Sequence, residues 1–255
     1  MSERFPPFEL PEPVSVLMPV SNEADVIATV VQEWAEEVFQ YLPQGSEMVF
    51  DEAASTDGTR EILAELQVKY PYIKVFSRDK KDGFANAARR LYKLATCPLI
   101  FFTDSDGQYV AKEFWTIASF IKDYDMVRGA KVGRKDPFGR RFSSFIFNKA
   151  VHFLFSISYD DINCAFHLIR RPLIEDLLPK LNIMETLINS ELLLRAEISN
   201  YQIKQCYVTH RMRLFGNSRG LPSYRFVFDS LKAFNGLLRI KASYRVIDFT
   251  SKDQG

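Results

Sequence analysis

The apolar positions change period along the chain, and the changes mark its elements. Val14-Ser15-Val16-Leu17-Met18-Pro19 is a short strand-forming run that the proline ends. Ser21-Asn22-Glu23 then supplies helix-start chemistry, and Val26, Ile27, Val30, Val31, Trp34, Val38 and Phe39 recur at helical spacing. Pro43-Gln44-Gly45 turns the chain into a second strand, Glu47-Met48-Val49-Phe50, which acids and a turn follow. Ser55-Thr56-Asp57-Gly58-Thr59 opens a helix carrying Ile62, Leu63, Leu66 and Tyr70. A third strand, Ile73-Lys74-Val75-Phe76, leads through Lys80-Lys81-Asp82-Gly83 into a helix with Ala87, Ala88, Leu91 and Leu94. The next run, Cys97-Pro98-Leu99-Ile100-Phe101-Phe102, is unbroken in its apolar character and reads as a buried strand. Such alternation predicts an α/β fold with a mostly parallel, doubly wound, Rossmann-like sheet. Met126-Val127-Arg128-Gly129 is one further strand, followed by the basic run Lys131, Arg134, Lys135, Arg140 and Arg141.

Chemistry concentrates where the fourth strand stops, at Thr103-Asp104-Ser105-Asp106-Gly107-Gln108. In extended backbone, residues two apart point the same way, so Asp104, Asp106 and Gln108 present three oxygen donors to one side. Mg²⁺ or Mn²⁺ suits that set, with substrate phosphates completing the shell. A calcium loop of the EF-hand type is excluded, because counting from Asp104 its glycine and final glutamate positions hold Tyr109 and Trp115. No Gly-x-Gly-x-x-Gly follows the first strand, which argues against a dinucleotide oxidoreductase.

Composition narrows the partners. Lys+Arg number 33 against 32 Asp+Glu, a net charge of +1, so nothing draws the whole chain to nucleic acid. Cys97, Cys164 and Cys206 are an odd set without Cys-x-x-Cys spacing, which predicts reduced core residues rather than disulfides or zinc. His152, among Val151, Phe153 and Leu154, reads as a packing residue. Met1-Ser2-Glu3-Arg4 lacks an apolar signal segment, and no window supplies the roughly 18 apolar residues of a membrane span, so a cytoplasmic location is expected. Two Phe-rich amphipathic stretches stand beside basic residues, Phe142 to Phe155 after two arginines and Arg225 to Leu238 with Lys232, Arg239 and Lys241. They suit either an interfacial membrane helix or packing on the sheet or a dimer partner.

Taken together, the motifs resemble the inverting family-2 glycosyltransferases of GT-A fold, especially the polyprenyl-phosphate sugar synthases such as dolichol-phosphate mannose synthase. Met18-Pro19-Val20-Ser21-Asn22-Glu23 is similar to the family's Pro-x-x-Asn-Glu, and Ser55 to Thr59 to its Ser-x-Asp-Gly-Thr. The resemblance implies nucleotide-sugar contacts from Pro19, Ser21, Glu23, Glu52, Asp57, Gly83, Asn86, Asp104 and Ser105, and a metal held by Asp104, Asp106 and Gln108. Glu52-Ala53-Ala54 departs from the family's Asp-Asp-Gly. Arg213-Leu214-Phe215-Gly216-Asn217-Ser218 is similar to Arg-x-x-Gly-x-Ser, a loop implied to close over both phosphates. Lys131, Arg140, Ser144 and Ser218 are implied at the acceptor phosphate. Asp106, Arg213 and Glu191 are the expected catalytic groups, Glu191 as base if the acceptor is a hydroxyl. Asp161-Ile162-Asn163-Cys164-Ala165-Phe166 stands where the family has Asp-x-x-Ser-Gly-Phe.

The expected organisation is a leader over 1–13, one domain over 14–220 and an amphipathic helix and tail over 221–255. Within the domain, 14–110 is the nucleotide-sugar half and 111–220 the acceptor half. The implied reaction moves a sugar from a UDP- or GDP-linked donor to a polyprenyl phosphate, with Mg²⁺ or Mn²⁺, beside a membrane surface or a membrane-anchoring partner. A soluble or glycan hydroxyl acceptor and a non-catalytic nucleotide-sugar-binding subunit stay open as alternatives.

Overall fold

β1 (Val14–Val20), β2 (Glu47–Ala53), β3 (Ile73–Arg78) and β4 (Leu99–Phe102) pair in parallel, and α1 (Ile27–Glu37), α2 (Thr59–Lys69) and α3 (Phe84–Leu94) connect them in turn. The computed structural model describes residues 6, 8–133, 138–212 and 231–243, and only the backbone of 138–143. After β4 come α4 (Phe114–Ala118), β5 (Met126–Val132), α5 (Phe138–Phe155), β6 (His167–Arg170), α6 (Arg171–Leu177), α7 (Ile188–Ile198), β7 (Ile203–Thr209) and α8 over 231–243. Among the described residues the sheet has seven strands in the order β3-β2-β1-β4-β6-β5-β7. β6 runs antiparallel to both β4 and β5, while β7 runs parallel to β5, so the expected mostly parallel α/β sheet is observed.

β4 is central because both of its faces are covered. Phe101 meets Trp34, Phe114 and Phe166 on one side, with ring centroids 5.4, 5.1 and 4.7 Å away. Phe102 faces the other way, against Phe84, Tyr92 and His167. Burying each such ring stabilises the fold by roughly 1.5–3 kcal/mol. The leader joins this core through buried Leu10 and through Phe8, whose ring lies edge-on to Trp115 at 5.6 Å. A second, smaller core of Val151, Ile162, Met184, Leu193, Leu194, Leu237 and Ile240 binds α5, α7 and α8 together. Outside it, Phe145, Ile146, Phe153, Leu231, Phe234 and Leu238 are exposed. Among the described residues, no helix is long and apolar enough to cross a membrane.

The structure corrects three local expectations. β2 does not stop at Phe50, since Pro19 and Phe76 continue the parallel register to Asp51 and carry it on to Ala53. Ser21-Asn22-Glu23 does not cap α1, which starts at Ile27 without a side-chain cap, because those residues bond to another loop. His152 is exposed and reaches the Ile157 carbonyl, whereas His167 is the buried histidine. All three cysteines are free and buried.

His167 stacks on Phe102 with its Nε2 2.9 Å from the Tyr92 hydroxyl. Burial, with help from the charge of Arg128, pushes its pKa down to about 3. The ring therefore stays neutral in the folded chain while the unfolded chain takes up a proton below about pH 6.5. Stability is complete above that pH and is lost as pH falls toward 3, by up to about 1.4 kcal/mol per pH unit from this group. Urea denaturation at pH 7.5, 6 and 5 should show that slope, and His167→Gln should flatten it; equal slopes in both proteins would refute the assignment.

Candidate active site

The carboxyl ends of β1, β2 and β4 meet the start of α3 around a cleft of about 390 Å³. Its walls are Pro19, Val20, Ser21, Glu23, Asp51, Ala53, Lys81, Gly83, Phe84, Ala87, Asp104, Ser105 and Asp106. Open α/β sheets bind ligands at this position. Gly83 precedes α3 with φ +94°, a backbone conformation that L side chains rarely adopt, and α3 has no side-chain cap. The amides of its first turn and the positive end of its dipole therefore suit an anion at the cleft.

Asp104 and Asp106 both line the cleft, as hard oxygen donors. Asp106 Oδ1 accepts the Gln108 amide at 3.1 Å, which fixes the carboxylate's orientation. Among the described residues, no group of three or more His, Cys, Asp or Glu forms a metal cage. Two carboxylates fit a Mg²⁺ or Mn²⁺ ion that shares its shell with substrate phosphate oxygens. The extended geometry expected over 104–108 is not observed, because β4 ends at Phe102 and Gly107 turns the chain with φ +73°. Gln108 consequently lies outside the cleft lining, and its Nε2 donates to the Arg211 carbonyl at 3.2 Å. Ser105 spends its hydroxyl on the Pro19 carbonyl at 2.8 Å, joining the end of β4 to β1.

The loops after β1 and β2 are clasped by hydrogen bonds between side chains and backbone. Ser21 Oγ donates to the Ala53 carbonyl at 2.9 Å, and Asn22 N and Glu23 N donate to the Ser55 and Thr59 hydroxyls at 2.9 and 2.8 Å. Thr56 N donates to Asn22 Oδ1 at 2.8 Å, and Ala24 N to Asp57 Oδ2 at 3.2 Å. Asp57 also accepts from Thr59 N and Oγ1, so it starts α2 and ties the loops without lining the cleft. Glu52 is buried, accepting from Ser55 N and Arg60 Nε at 2.7 Å each. Burial works against its charged form, but the Ser55 and Arg60 bonds outweigh it and hold the carboxyl below its ordinary range. Asn86 is exposed and bonds Asp82 and Arg89.

Asp51 and Lys81 are charged residues of the cleft lining that sequence reasoning missed. Being one position before Glu52 in β2, Asp51 points to the opposite face, and that face is the cleft wall. Arg90 grips it with two bonds, of 3.0 and 2.7 Å, and Arg78 Nε donates to it at 3.3 Å. The bonds to Asp51 lead those that raise the Arg90 pKa, and Arg90 in turn holds Asp82 below the carboxylate range.

The expected acceptor-side residues lie further along the sheet. Lys131 Nζ pairs with Asp161 at 3.3 Å. Arg128, also on β5, is fully buried and donates from Nη2 to the Asp161 carbonyl at 2.6 Å, while its Nε and Nη1 lack a partner among the described residues. Glu191, expected as a catalytic group and as base for a hydroxyl acceptor, is fully buried. Its carboxylate accepts the amides of Asn182, Ile183 and Met184 and pairs with Arg195 at 3.0 Å. Ser144 is half-buried on α5. The side chain of Arg140, and Arg213 and Ser218 altogether, lie outside the described residues.

The sheet order is that of the GT-A fold. A family model described as glycosyl transferase family 2 matches residues 15–178, and the chain belongs to that family. Glycosyltransferase AglJ of Haloferax volcanii is 27% identical over 166 residues, covering 63% of this chain and 51% of that protein. The undecaprenyl-phosphate 4-deoxy-4-formamido-L-arabinose transferase of Klebsiella pneumoniae is 22% identical over 166 residues, covering 65% and 51%. The chain thus spans about half the length of these curated relatives. Among solved structures, glucosyl-3-phosphoglycerate synthase of Mycobacterium tuberculosis, in complex with Mn²⁺, UDP and phosphoglyceric acid, superposes with a TM-score of 0.69. At 18% identity it covers 91% of this chain and 79% of that one, a likeness of fold.

Asp57→Ala removes three acceptor contacts from the clasp. It should cost about 1–2 kcal/mol, the range for lost caps and charge-assisted bonds. Urea unfolding monitored by circular dichroism measures this, and an unchanged midpoint would show that the clasp does not stabilise the fold.

Proposed function

We propose that the chain is a metal-dependent, inverting glycosyltransferase that moves a sugar from a UDP- or GDP-linked donor to a polyprenyl phosphate. The observation that carries the reading is the convergence of Asp104, Asp106 and the uncapped, glycine-led start of α3 on one cleft. In this reading the first-turn amides of α3 bind the donor diphosphate, and Asp104 and Asp106 hold Mg²⁺ or Mn²⁺. When bound, that ion offsets the negative charge that grows on the departing diphosphate. Asp51, fully buried and holding Arg78 and Arg90, shapes the β2 wall beside the nucleoside. The solved relative that binds Mn²⁺ and UDP, and the undecaprenyl-phosphate transferase among the curated relatives, support this donor and acceptor class.

An anionic acceptor is favoured over a hydroxyl by the state of Glu191. A hydroxyl needs a base, and the carboxylate first expected in that role is buried under three amides and an arginine. A phosphate is already nucleophilic and needs only positioning, which Lys131, Arg140, Ser144, Arg213 and Ser218 would give. Lys131 is held in one place by Asp161.

Peripheral docking on the cytoplasmic face of a membrane completes the reading. α5 and α8 contain no acidic residue, carry Arg140, Arg141, Lys149, Lys232, Arg239 and Lys241, and expose six large apolar side chains. Such faces bind anionic lipid surfaces.

Release of nucleoside diphosphate from UDP- and GDP-sugars, measured with Mn²⁺ and an undecaprenyl-phosphate acceptor, tests the enzyme. Asp106→Ala should lower the rate at least roughly 100-fold, the scale of losing an electrostatic transition-state contact. Equal turnover by both proteins would sink the metal-site reading, and no turnover by the wild type would favour the non-catalytic alternative. In liposome flotation at low salt, the protein should rise with phosphatidylglycerol vesicles, and Phe145→Ser with Phe153→Ser should leave it at the bottom; wild-type protein that stays soluble removes the membrane claim.

A further inference from the structure

The loop bearing Asp104 and Asp106 is gripped from outside the cleft by one arginine. Arg211 lies two residues beyond β7 and donates from Nε to the Gly107 carbonyl at 2.8 Å and from Nη2 to the Tyr109 carbonyl at 3.2 Å. Its Nη2 also pairs with Glu33 on α1. The other oxygen of Glu33 accepts the Ala111 amide at 3.0 Å. Arg211 closes the ring with its own backbone, since its amide donates to the Gln108 carbonyl at 2.9 Å and its carbonyl accepts Gln108 Nε2. The side chains of the pair therefore hold Gly107, Tyr109 and Ala111, and the backbone of Arg211 holds Gln108 between them.

The grip reaches the cleft through one further bond. Gln108 lies between the two carbonyls that the Arg211 guanidinium holds and is bonded to the Arg211 backbone, and it donates its own backbone amide to Asp106 Oδ1. Glu33 and Arg211 do not line the cleft themselves. The pair is a poor device for stability alone, because its side chains are 31% and 21% exposed and ion pairs at such exposure are worth at most about 1 kcal/mol. What it does well is hold the two carbonyls that flank Gln108, those of Gly107 and Tyr109, in a fixed relation to α1.

We propose that Arg211 and Glu33 are a positioning pair that sets the aim of Asp106 toward the divalent ion. The inference rests on the reading of Asp104 and Asp106 as metal ligands. Outer partners that orient metal ligands change metal affinity by roughly 10- to 100-fold when removed. Mn²⁺ binding measured by electron paramagnetic resonance with UDP or GDP present, together with metal-free thermal melts, tests it without using activity. Arg211→Met and Glu33→Gln should each weaken Mn²⁺ binding by about 10- to 100-fold. The isosteric Glu33→Gln keeps the test open should Arg211→Met fail to fold, and it should leave the metal-free melting temperature near that of the wild type. Combining the two changes should add little to either one, since both cut the same chain of contacts. Wild-type Mn²⁺ affinity in Glu33→Gln overturns the proposal while leaving the metal site standing. Absence of Mn²⁺ binding by the wild type overturns both.

Discussion

The cleft depends on the clasp between the loops that follow β1 and β2. Parallel strands end side by side, but nothing in a sheet dictates where the chain goes beyond its last ladder bond. Here Ser21, Asn22, Ser55, Asp57 and Thr59 lend side-chain oxygens to the opposite loop. Each bond contributes on the order of 1 kcal/mol, so the set stabilises more than a single buried ring. Two non-glycine residues, Asn22 and Ala54, sit at positive φ inside this clasp, a backbone cost that its bonds offset. With the loops fixed, Pro19 and Ala53 form one wall while the end of β4, pinned to Pro19 by Ser105, forms the other.

A division of labour among the carboxylates follows. Glu52, Asp57 and Glu191 use their oxygens on amides and arginines, and their contribution is to shape. Asp104 and Asp106 line the cleft, while Asp51 joins its wall but gives both oxygens to Arg78 and Arg90. The cations sort in the same way, with Arg60, Arg90 and Arg195 each on an interior acid. Arg128 stands apart, as a buried guanidinium with two N–H groups unsatisfied among the described residues and burial lowering its pKa. Such groups are costly, and its single strong bond to the Asp161 carbonyl holds the strand end from which Lys131 projects.

The first half of the fold was legible because its signals are local. Unbroken apolar strands alternate with helical periods, and Phe101-Phe102 announced a strand covered on both faces. β6 and β7 were not legible. β6 is only four residues long, and β7 mixes Lys204, Gln205 and Thr209 with apolar positions along an edge. At the site, the acids of the β4 loop were visible as a motif, but which acid of β2 faces the cleft is a matter of strand length. Ending β2 at Phe50 put Asp51 and Glu52 in a turn, whereas two more register pairs give them opposite faces. The burial of Glu191 was not legible, since three of its partners are backbone amides and its pairing with Arg195 has the i, i+4 spacing of an ordinary surface pair.

The order of the sheet has a consequence for the solution behaviour of the chain. Among the described residues β3 and β7 are the outer strands, and an outer strand offers unpaired amides and carbonyls onto which a second molecule could add a strand. Charged side chains on such a strand discourage that addition. β3 carries Lys74 and Arg78, and these reach inward to Glu47 and Asp51. The cations that neutralise two interior acids therefore also guard an open margin of the sheet against edge-to-edge aggregation. Replacing either with an apolar residue would take one partner from a buried carboxylate and expose a template for self-association in one step.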